Sequence, residues 1–385
     1  MISELAEITT ENTDQLRVVG TLAGHTAPIL SIDVVPKGRL LASGSMDGTA
    51  RLWDLPTQKQ VSVLTDNADK EAVSRVAFSP TNPHHLATAI GRKPHWVTPD
   101  IHSYVGNLFG DSLSPYTKKP VWRLWSVENE SVIHTEKEPH PPQGTTAGLT
   151  YSRDGHWLAA NGCVYDITAG SYRKAVQLTE YHVSDMAFSD DSRRLAQVTC
   201  YEKMPERVLC RSVEIYRVDN WKKITAVKET RRISDFAAVR FLPNSHELLV
   251  RTRRDTMRGR DAHKLYHFKG DEFEAVTHVM SDVACFACHP NVSLVAIAKY
   301  DGRIVLLDWN RKRRQKPIAA VQAYKPTKRI EMPIFAIENK GSKITQEDTV
   351  KSHYRASADM VFSLDGKRLI SADGDWVIRL WGVPA

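Results

Sequence analysis

Short stretches in which apolar and polar residues alternate run along most of the chain. Turn-forming pairs such as Asp154-Gly155, Asp301-Gly302 and Asp365-Gly366 separate these stretches. A period of two places the apolar side chains on one face of a β-strand, and Asp-Gly pairs favour tight turns between strands. The pattern therefore predicts an all-β fold built from many short strands.

The strands fall into groups that repeat along the chain. In each group the first strand closes near Phe-Ser-Pro or its equivalent, the second is apolar and the third ends in an aromatic or apolar residue. The first strands are expected to end near Val35, Phe78, Tyr151, Phe188, Phe241, Cys288 and Phe362. The third strands are expected to carry, in one equivalent position, Trp53, Trp125, Tyr165, Tyr216, Tyr266, Leu307 and Trp381. The sequence thus predicts seven units.

The first and last units share four residues at identical spacing. The two sets are His25, Ser43, Asp47 and Trp53 in the first unit and His353, Ser371, Asp375 and Trp381 in the last. Together with Gly24-His25 and Trp53-Asp54, this spacing resembles the WD40 family, in which each repeat of roughly 40–45 residues forms a four-stranded propeller blade. The resemblance implies a seven-bladed WD40-type β-propeller.

The last unit has third-strand residues up to Trp381 and then only four more positions, so its fourth strand must come from elsewhere. Leu16 to Leu22 precede the opening strand of the first blade and can pair into the last blade. Such a pairing closes the ring and removes a free sheet edge. We expect one propeller over residues 15–385, preceded by a polar tail over residues 1–14.

The matched polar residues could be read as a catalytic triad, with Ser43 as the nucleophile and His25 as the base. The same set recurs at the far end of the chain, however, and active sites do not usually occur in copies. The family resemblance implies a structural role instead, a buried hydrogen-bond relay that ends at the indole N–H of the third strand. The central units lack a complete set, so their blades are expected to rely on packing.

Excess sequence is concentrated in four blocks. Residues 91–120, 201–211 and 253–263 separate the second and third strands of blades two, four and five, and residues 325–352 join blade six to blade seven. In a propeller these connections open on one rim, which we call the crown face. Long loops on a rigid scaffold commonly carry binding residues, so the crown face is the predicted working surface.

The crown blocks combine basic and aromatic residues. The candidates for partner contact are Trp96, Tyr104, Phe109, Arg253, Arg254, Arg258, Arg260, Lys328 and Arg329. Such side chains suit an acidic protein surface, a phosphate-bearing ligand or single-stranded nucleic acid, and a solvated loop is the alternative. The basic run from Asn310 to Pro317 connects third and fourth strands, which places it on the opposite face, where a solvated turn is favoured.

Charge and cysteine usage narrow the class of protein. The 52 basic and 45 acidic residues leave a net charge of +7, so the position of the basic residues matters more than their total. The five cysteines are scattered, and no long apolar run or secretory start is present. These features favour a cytoplasmic protein without a membrane span or a disulfide framework.

Two further patterns resemble a haem-attachment site and a metal or catalytic site. Cys285 to His289 have the spacing of a covalent haem site, but alignment of Pro290 with Pro80 assigns them to a first strand whose side chains point to alternate faces. The channel-lining strands carry Asp33, Ser74, Asp185, Asp235 and Asp359, whose phases differ and which lack metal-ligand spacing. The sequence favours a non-catalytic scaffold or adaptor without metal or cofactor that binds a protein partner; nucleic-acid binding and a channel enzyme are the alternatives.

Overall fold

In the computed structural model, twenty-nine strands form seven antiparallel sheets around a ring. The structure describes residues 4–36, 38–65, 72–91, 121–137, 148–168, 172–179, 181–203, 208–228, 236–252, 264–269, 275–311, 316–324 and 359–385. Within these residues each sheet forms one blade, so the expected all-β, seven-bladed propeller is confirmed.

The strands follow one another from the centre of the ring outward in each blade. The chain opens with β1 (Leu5–Ala6), a short 3-10 helix (Thr13–Gln15) and β2 (Arg17–Leu22). Blade 1 contains β3 (Ile29–Val34), β4 (Leu40–Ser45), β5 (Ala50–Asp54) and β6 (Lys59–Leu64). Blade 2 contains β7 (Ala72–Phe78), β8 (His85–Gly91), β9 (Val121–Ser126) and β10 (Ser131–Lys137). Blade 3 contains β11 (Leu149–Tyr151), β12 (Trp157–Ala160), β13 (Cys163–Asp166) and β14 (Arg173–Gln177).

The second half of the ring repeats this arrangement. Blade 4 contains β15 (His182–Phe188), β16 (Arg194–Lys203), β17 (Val208–Arg217) and β18 (Lys223–Lys228). Blade 5 contains β19 (Phe236–Phe241), β20 (Leu248–Thr252), β21 (Lys264–Lys269) and β22 (Ala275–Ser281). Blade 6 contains β23 (Val283–Cys288), β24 (Leu294–Lys299), β25 (Arg303–Asp308) and β26 (Ala319–Gln322). Blade 7 contains β27 (Asp359–Phe362), β28 (Leu369–Ala372) and β29 (Ile378–Pro384).

The two chain ends build blade 7 together. Strand β2 pairs antiparallel with β29, with Leu22 opposite Ile378 and Arg17 opposite Gly382. The predicted closure of the ring by an N-terminal strand is therefore confirmed. Strand β1 then continues the same edge, since Ala6 lies opposite Val383.

Residues 7–16 leave this edge and pack at the junction of blades 6 and 7. The Ile8 side chain is fully buried and joins an apolar cluster with Leu16, Ala323 and Trp381. Its backbone N–H donates to Gly366 O at 2.9 Å, in the first-to-second turn of blade 7. Residues 4–14 thus belong to the packed propeller, which differs from the separate polar tail expected over residues 1–14.

The predicted first-strand ends agree with the structure, except that β3 ends at Val34 rather than Val35. The third strands extend one to three residues beyond the predicted Trp53, Trp125, Tyr165, Tyr216, Tyr266, Leu307 and Trp381. In blade 1 the third-strand Trp53 lies opposite Leu41, and the matching register in blade 5 places Phe268 opposite Leu248. Phe268, and not Tyr266, therefore occupies the equivalent position. Both residues lie on one side of β21, so alternation alone does not distinguish them.

The blade-four block is largely strand. Strands β16 and β17 remain paired as far as Lys203 and Val208, so much of residues 201–211, expected as an inserted loop, continues the hairpin. The hairpin extends past β18, whose pairing stops at Ser212.

No helix in the part of the chain that the structure describes is long and apolar enough to cross a membrane.

Candidate functional site

The four matched residues of blade 1 come together in one chain of hydrogen bonds. His25 precedes β3, Ser43 lies on β4, Asp47 lies in the turn after β4, and Trp53 lies on β5. His25 Nδ1 is 2.7 Å from Asp47 Oδ2, and His25 Nε2 is 2.8 Å from Ser43 Oγ. The Trp53 indole N–H donates to the same Ser43 Oγ at 2.8 Å. The arrangement links the loop, two strands and a turn.

The hydrogen bonds around Asp47 favour its ionised form. Burial acts to raise the pKa of Asp47, but hydrogen bonds from His25 and Thr49 outweigh it and hold that pKa well below its usual value. Ser43 is fully buried, and its oxygen is engaged by both rings. A catalytic serine must reach a substrate carbonyl, which a buried oxygen between two rings cannot do.

Blade 7 keeps only part of this arrangement. The Trp381 indole N–H donates to Ser371 Oγ at 3.0 Å, and the Ser371 hydroxyl donates to Asp373 Oδ2 at 3.1 Å. Asp375 is engaged by Arg379, with Nη2 and Oδ2 2.7 Å apart. Arg379 Nη1 also reaches Asp373 Oδ2 at 2.8 Å. His353, the remaining member of the set, lies outside the described residues.

Two central blades also contain buried polar networks, so the expectation that they rely on packing alone is wrong there. In blade 2 the Trp125 indole donates to Thr88 Oγ1 at 3.0 Å. In blade 4 Gln197 Nε2 donates to Glu214 Oε2 at 3.1 Å, and the Tyr216 hydroxyl donates to the same oxygen at 2.8 Å. The register gives Gln197 the position of Ser43 and Tyr216 that of Trp53. The sequence signal for this network was the presence of two polar residues, Gln197 and Glu214, within strands that are otherwise apolar.

The channel carboxylates act between blades. Asp359 accepts the Ile32 N–H at 3.1 Å, Asp33 accepts the Phe78 N–H at 2.6 Å, and Asp185 accepts the Val239 N–H at 3.0 Å. Each donor belongs to a first strand of the following blade. The three side chains thus fasten neighbouring inner strands to each other, because every carboxylate satisfies a backbone donor of the next blade.

The phases of these residues were predicted to differ, and this is wrong for one pair. Asp185 lies opposite Val198 and Asp359 opposite Ala372, which are equivalent register positions. Asp33 lies two residues further along its strand, Ser74 Oγ donates to Ala89 O, and Asp235 lies outside the described residues. Asp185 and Asp359 each lie three residues before the end of their strand, Phe188 and Phe362, so the count back from the strand end is the same for both.

Two arginines pair with the channel carboxylate of Asp185. Arg240 Nη1 is 2.6 Å from Asp185 Oδ2, and Arg75 Nη2 is 3.3 Å from Asp185 Oδ1. Among the residues that the structure describes, no group of three or more potential metal ligands comes together. Cys285 and Cys288 are free thiols on β23, and burial raises the pKa of both. The Asp185 carboxylate is therefore engaged in ion pairs, and the thiols of Cys285 and Cys288 belong to a packed strand.

The predicted partner contacts lie outside the residues that the structure describes. They are Trp96, Tyr104, Phe109, Arg253, Arg254, Arg258, Arg260, Lys328 and Arg329. The strands that bound two of these segments are described, since β8 ends at Gly91 and β9 begins at Val121, and β20 ends at Thr252 and β21 begins at Lys264. These strand ends lie on the rim that carries the Asp47 turn.

Sequence reasoning missed one exposed residue on the described part of the crown face. Trp376 lies in the second-to-third turn of blade 7 and is 41% exposed. The signal was its place in the repeat, because the equivalent residue of the first unit is Gly48. A large aromatic residue replaces glycine at the tip of a turn.

The fold and the relay define the class of protein. The family model described as WD domain, G-beta repeat matches residues 16–54 and 345–382. These matches fall on the first and last blades of the ring, so the chain is a seven-bladed β-propeller whose end blades resemble WD40 repeats.

Comparison with individual proteins points to particular relatives. Eukaryotic translation initiation factor 3 subunit I of Aspergillus fumigatus is 31% identical over 181 residues, or 45% of this chain and 48% of that protein. The subunit I of Aspergillus oryzae is 26% identical over 296 residues, or 74% of this chain and 80% of that protein. WD repeat and HMG-box DNA-binding protein 1 of Xenopus laevis is 30% identical over 108 residues, 26% of this chain and 10% of that protein. The match to the first of these relatives spans about half of its length.

Proposed function

We propose that this protein is a non-catalytic scaffold subunit of a cytoplasmic multiprotein assembly. The observation that carries the proposal is the similarity of 45% to 74% of this seven-bladed chain to proteins named as subunits of a translation initiation factor. The engaged polar groups support it as well, because Ser43 is buried between two rings and the channel carboxylates bind backbone amides and guanidinium groups.

The crown face is the proposed contact surface. The blocks at residues 91–120, 253–263 and 325–352 leave the ring on this rim, and the blade-four hairpin extends there. Arginine-rich blade-five residues would pair with carboxylates of an acidic partner surface, while the blade-two aromatic residues would supply apolar anchors. Complementary charge would also speed association and fix the orientation of the partner.

Reversing charge on the crown face tests this proposal. A variant with Arg253→Glu, Arg254→Glu and Arg258→Glu is expected to lose stable partners while keeping the thermal unfolding temperature of the parent. The measurement is affinity purification from the source cells with quantitative mass spectrometry of the recovered proteins. A partner recovered at equal stoichiometry with parent and variant contradicts the proposed surface.

A matched control places the same charge change on the opposite rim. Arg311, Arg313 and Arg314 lie in the connection between β25 and β26, so Arg311→Glu, Arg313→Glu and Arg314→Glu change the net charge equally. This variant is expected to retain the partners. If the partner proves to be single-stranded nucleic acid, recovery will fall steeply between two salt concentrations because counterions are released on binding.

A further inference from the structure

Arg251 of blade 5 occupies a position that is small and apolar in most of the other blades. It lies on β20, opposite Ala238 of β19 and Leu265 of β21. The equivalent residues of blades 1, 2, 4, 6 and 7 are all buried, and they are Gly44, Ala89, Val198, Ala298 and Ala372. In blade 5 a long cationic side chain thus replaces a small one.

The Arg251 side chain lies on the face of blade 5 that packs against blade 6. Leu249 and Leu265 share this face, and both belong to an apolar cluster that includes Phe286 of blade 6. The charge of Arg251 also reaches that blade, because it opposes the rise that burial causes in the pKa of Cys285 on β23. The guanidinium therefore lies in the seam between blades 5 and 6. Its residue comes directly before the end of β20 at the crown face.

This arginine lacks a partner within its own chain. Its Nε atom is buried without a hydrogen-bond acceptor, and within the part of the chain that the structure describes the guanidinium forms no ion pair. Arg240, on the neighbouring strand β19, is in contrast 2.6 Å from Asp185. The Arg251 residue is half-buried, so part of its surface stays accessible. Charged groups that leave water are normally paired, and an unpaired one at this position indicates that the acceptor comes from another molecule.

We propose that Arg251 binds the carboxylate of an aspartate or glutamate of a partner protein, at the crown-face end of the seam between blades 5 and 6. The inference rests on the proposed function, because it names the anchor residue for an acidic partner. A carboxylate offers two oxygens to the fork of N–H donors in a guanidinium, and its single negative charge matches the single positive one. Arginine is also among the residues that most often dominate the free energy of binding at an interface.

The first test separates a binding role from a structural one. Arg251→Met keeps a long side chain but removes the unpaired charge, so its unfolding temperature is expected to equal or exceed that of the parent. The matched control Arg240→Met takes a cation from the buried carboxylate of Asp185 and is expected to unfold several degrees lower. An Arg251→Met protein that unfolds as early as this control would show that groups of the same chain hold the guanidinium, and the inference would be overturned.

The second test measures binding directly. The probe is a fluorescein-labelled peptide, Gly-Ser-Glu-Gly-Glu-Ser-Gly, titrated with the full-length protein at low salt and followed by fluorescence anisotropy. Binding is expected to weaken about tenfold in Arg251→Met and by a smaller factor in Arg251→Lys, which keeps the charge but not the fork of donors. The same peptide with glutamine in place of glutamate is expected not to bind. Equal binding of the two peptides would overturn the inference.

A second control accounts for net charge. Arg311→Met removes one positive charge from the opposite rim, and it is expected to bind the glutamate peptide as the parent does. Equal affinity of the parent and Arg251→Met, or equal weakening in Arg251→Met and Arg311→Met, would show that the peptide does not use Arg251.

Recovery of partners from the source cells distinguishes this inference from the proposed function. Loss of partners in the variant with Arg253→Glu, Arg254→Glu and Arg258→Glu, with full recovery and unchanged peptide affinity in Arg251→Met, rejects only the Arg251 site. Full recovery in the triple variant rejects the proposed surface, and the peptide titrations then decide the Arg251 site by themselves. Loss of partners in both proteins, with weaker peptide binding in Arg251→Met, supports both proposals.

Discussion

Blades 1 and 7 are two versions of one repeat with different polar chemistry. Both keep the indole-to-serine bond, Trp53 to Ser43 and Trp381 to Ser371. In blade 1 the aspartate of the turn is held by a histidine, whereas in blade 7 it is held by Arg379. The buried half of the relay is thus common to both blades, and the half nearer the crown face differs.

One substitution accounts for much of this difference. Ser45 of blade 1 donates its hydroxyl to the carbonyl oxygens of Ala27 and Pro28. Its equivalent in blade 7 is Asp373, whose ionised carboxylate has no proton to donate. It accepts from Ser371 and Arg379 instead, and Arg379 in turn holds Asp375. The comparison teaches that a single donor-to-acceptor change can redirect a whole turn while the strands stay in register.

The largest expected contrast comes from removing the arginine. Arg379→Met removes the guanidinium that pairs with the fully buried carboxylate of Asp373, and the free energy of unfolding is expected to fall by about 3 kcal/mol. Arg51→Met in blade 1 loses hydrogen bonds to Gln60 and Thr49 and a 3.9 Å approach to Asp47, so the loss is expected to stay under about 1 kcal/mol. Urea-induced unfolding measures both values.

Rescue sharpens this prediction. Adding Asp373→Ser to Arg379→Met gives blade 7 the serine and methionine that blade 1 has in the Arg51→Met variant, where Ser45 stands in place of Asp373. No buried carboxylate is then left at position 373, so most of the lost stability should return. Similar losses in the two single variants, or a double variant no more stable than Arg379→Met, would show that the buried carboxylate is not the source of the effect.

Removing the relay serine is expected to have the next largest effect. Ser43→Ala leaves both the Trp53 N–H and the His25 ring without that partner, at a cost of about 2 kcal/mol. Among the described residues Ser371→Ala leaves the Trp381 N–H unpaired while Asp373 keeps Arg379, and about 1 kcal/mol is expected. Thermal unfolding of the two variants side by side checks the ratio. Equal shifts would mean that the histidine contributes nothing to the relay.

A pH dependence is expected from Asp33 of blade 1. Burial raises the pKa of Asp33 to about 7, and its equivalent in blade 7 is Val361. Burial also raises the pKa of Asp359 on β27 of blade 7. The folded protein therefore holds the Asp33 proton more tightly than the unfolded chain, where the pKa is near 4. The Asp33 contribution is complete below pH about 4 and is lost as the pH rises through about 7. Asp33→Asn should make the decline from pH 5 to pH 8 shallower and leave the part due to Asp359, so an equally steep decline of both proteins would contradict it.

Much of the ring could be predicted because its signals are local. First-strand ends such as Phe78 and Phe188 are marked by a serine directly after them, and the closing strand follows from the missing fourth strand of the last blade. Other features depend on contacts between distant residues. Ile8 stands among polar neighbours, and only its contact with Trp381 and Ala323 makes it part of the core.

The candidate site was predicted less completely for the same reason. Four residues of one blade were recognised as a set, but the contact of Arg379 with both Asp375 and Asp373 was not, because Asp373 lies outside the repeat signature. The blade-four network uses Gln197 and Glu214, which match no residue of the motif. Hydrogen bonding was conserved in kind while the residue types changed, and a search by residue type misses such cases.

The pairing of β2 with β29 has a consequence for synthesis. Arg17 to Leu22 leave the ribosome before the strands of blades 1 to 6, whereas Ile378 to Pro384 leave it after them. While those blades are synthesised the early strand has no partner, and the inner strands of blades 1 and 6 lack the sheet that later lies between them. Contacts between such distant residues form slowly, so the nascent ring stays open until β29 has emerged, and this open form is the one most exposed to chaperones and to premature association.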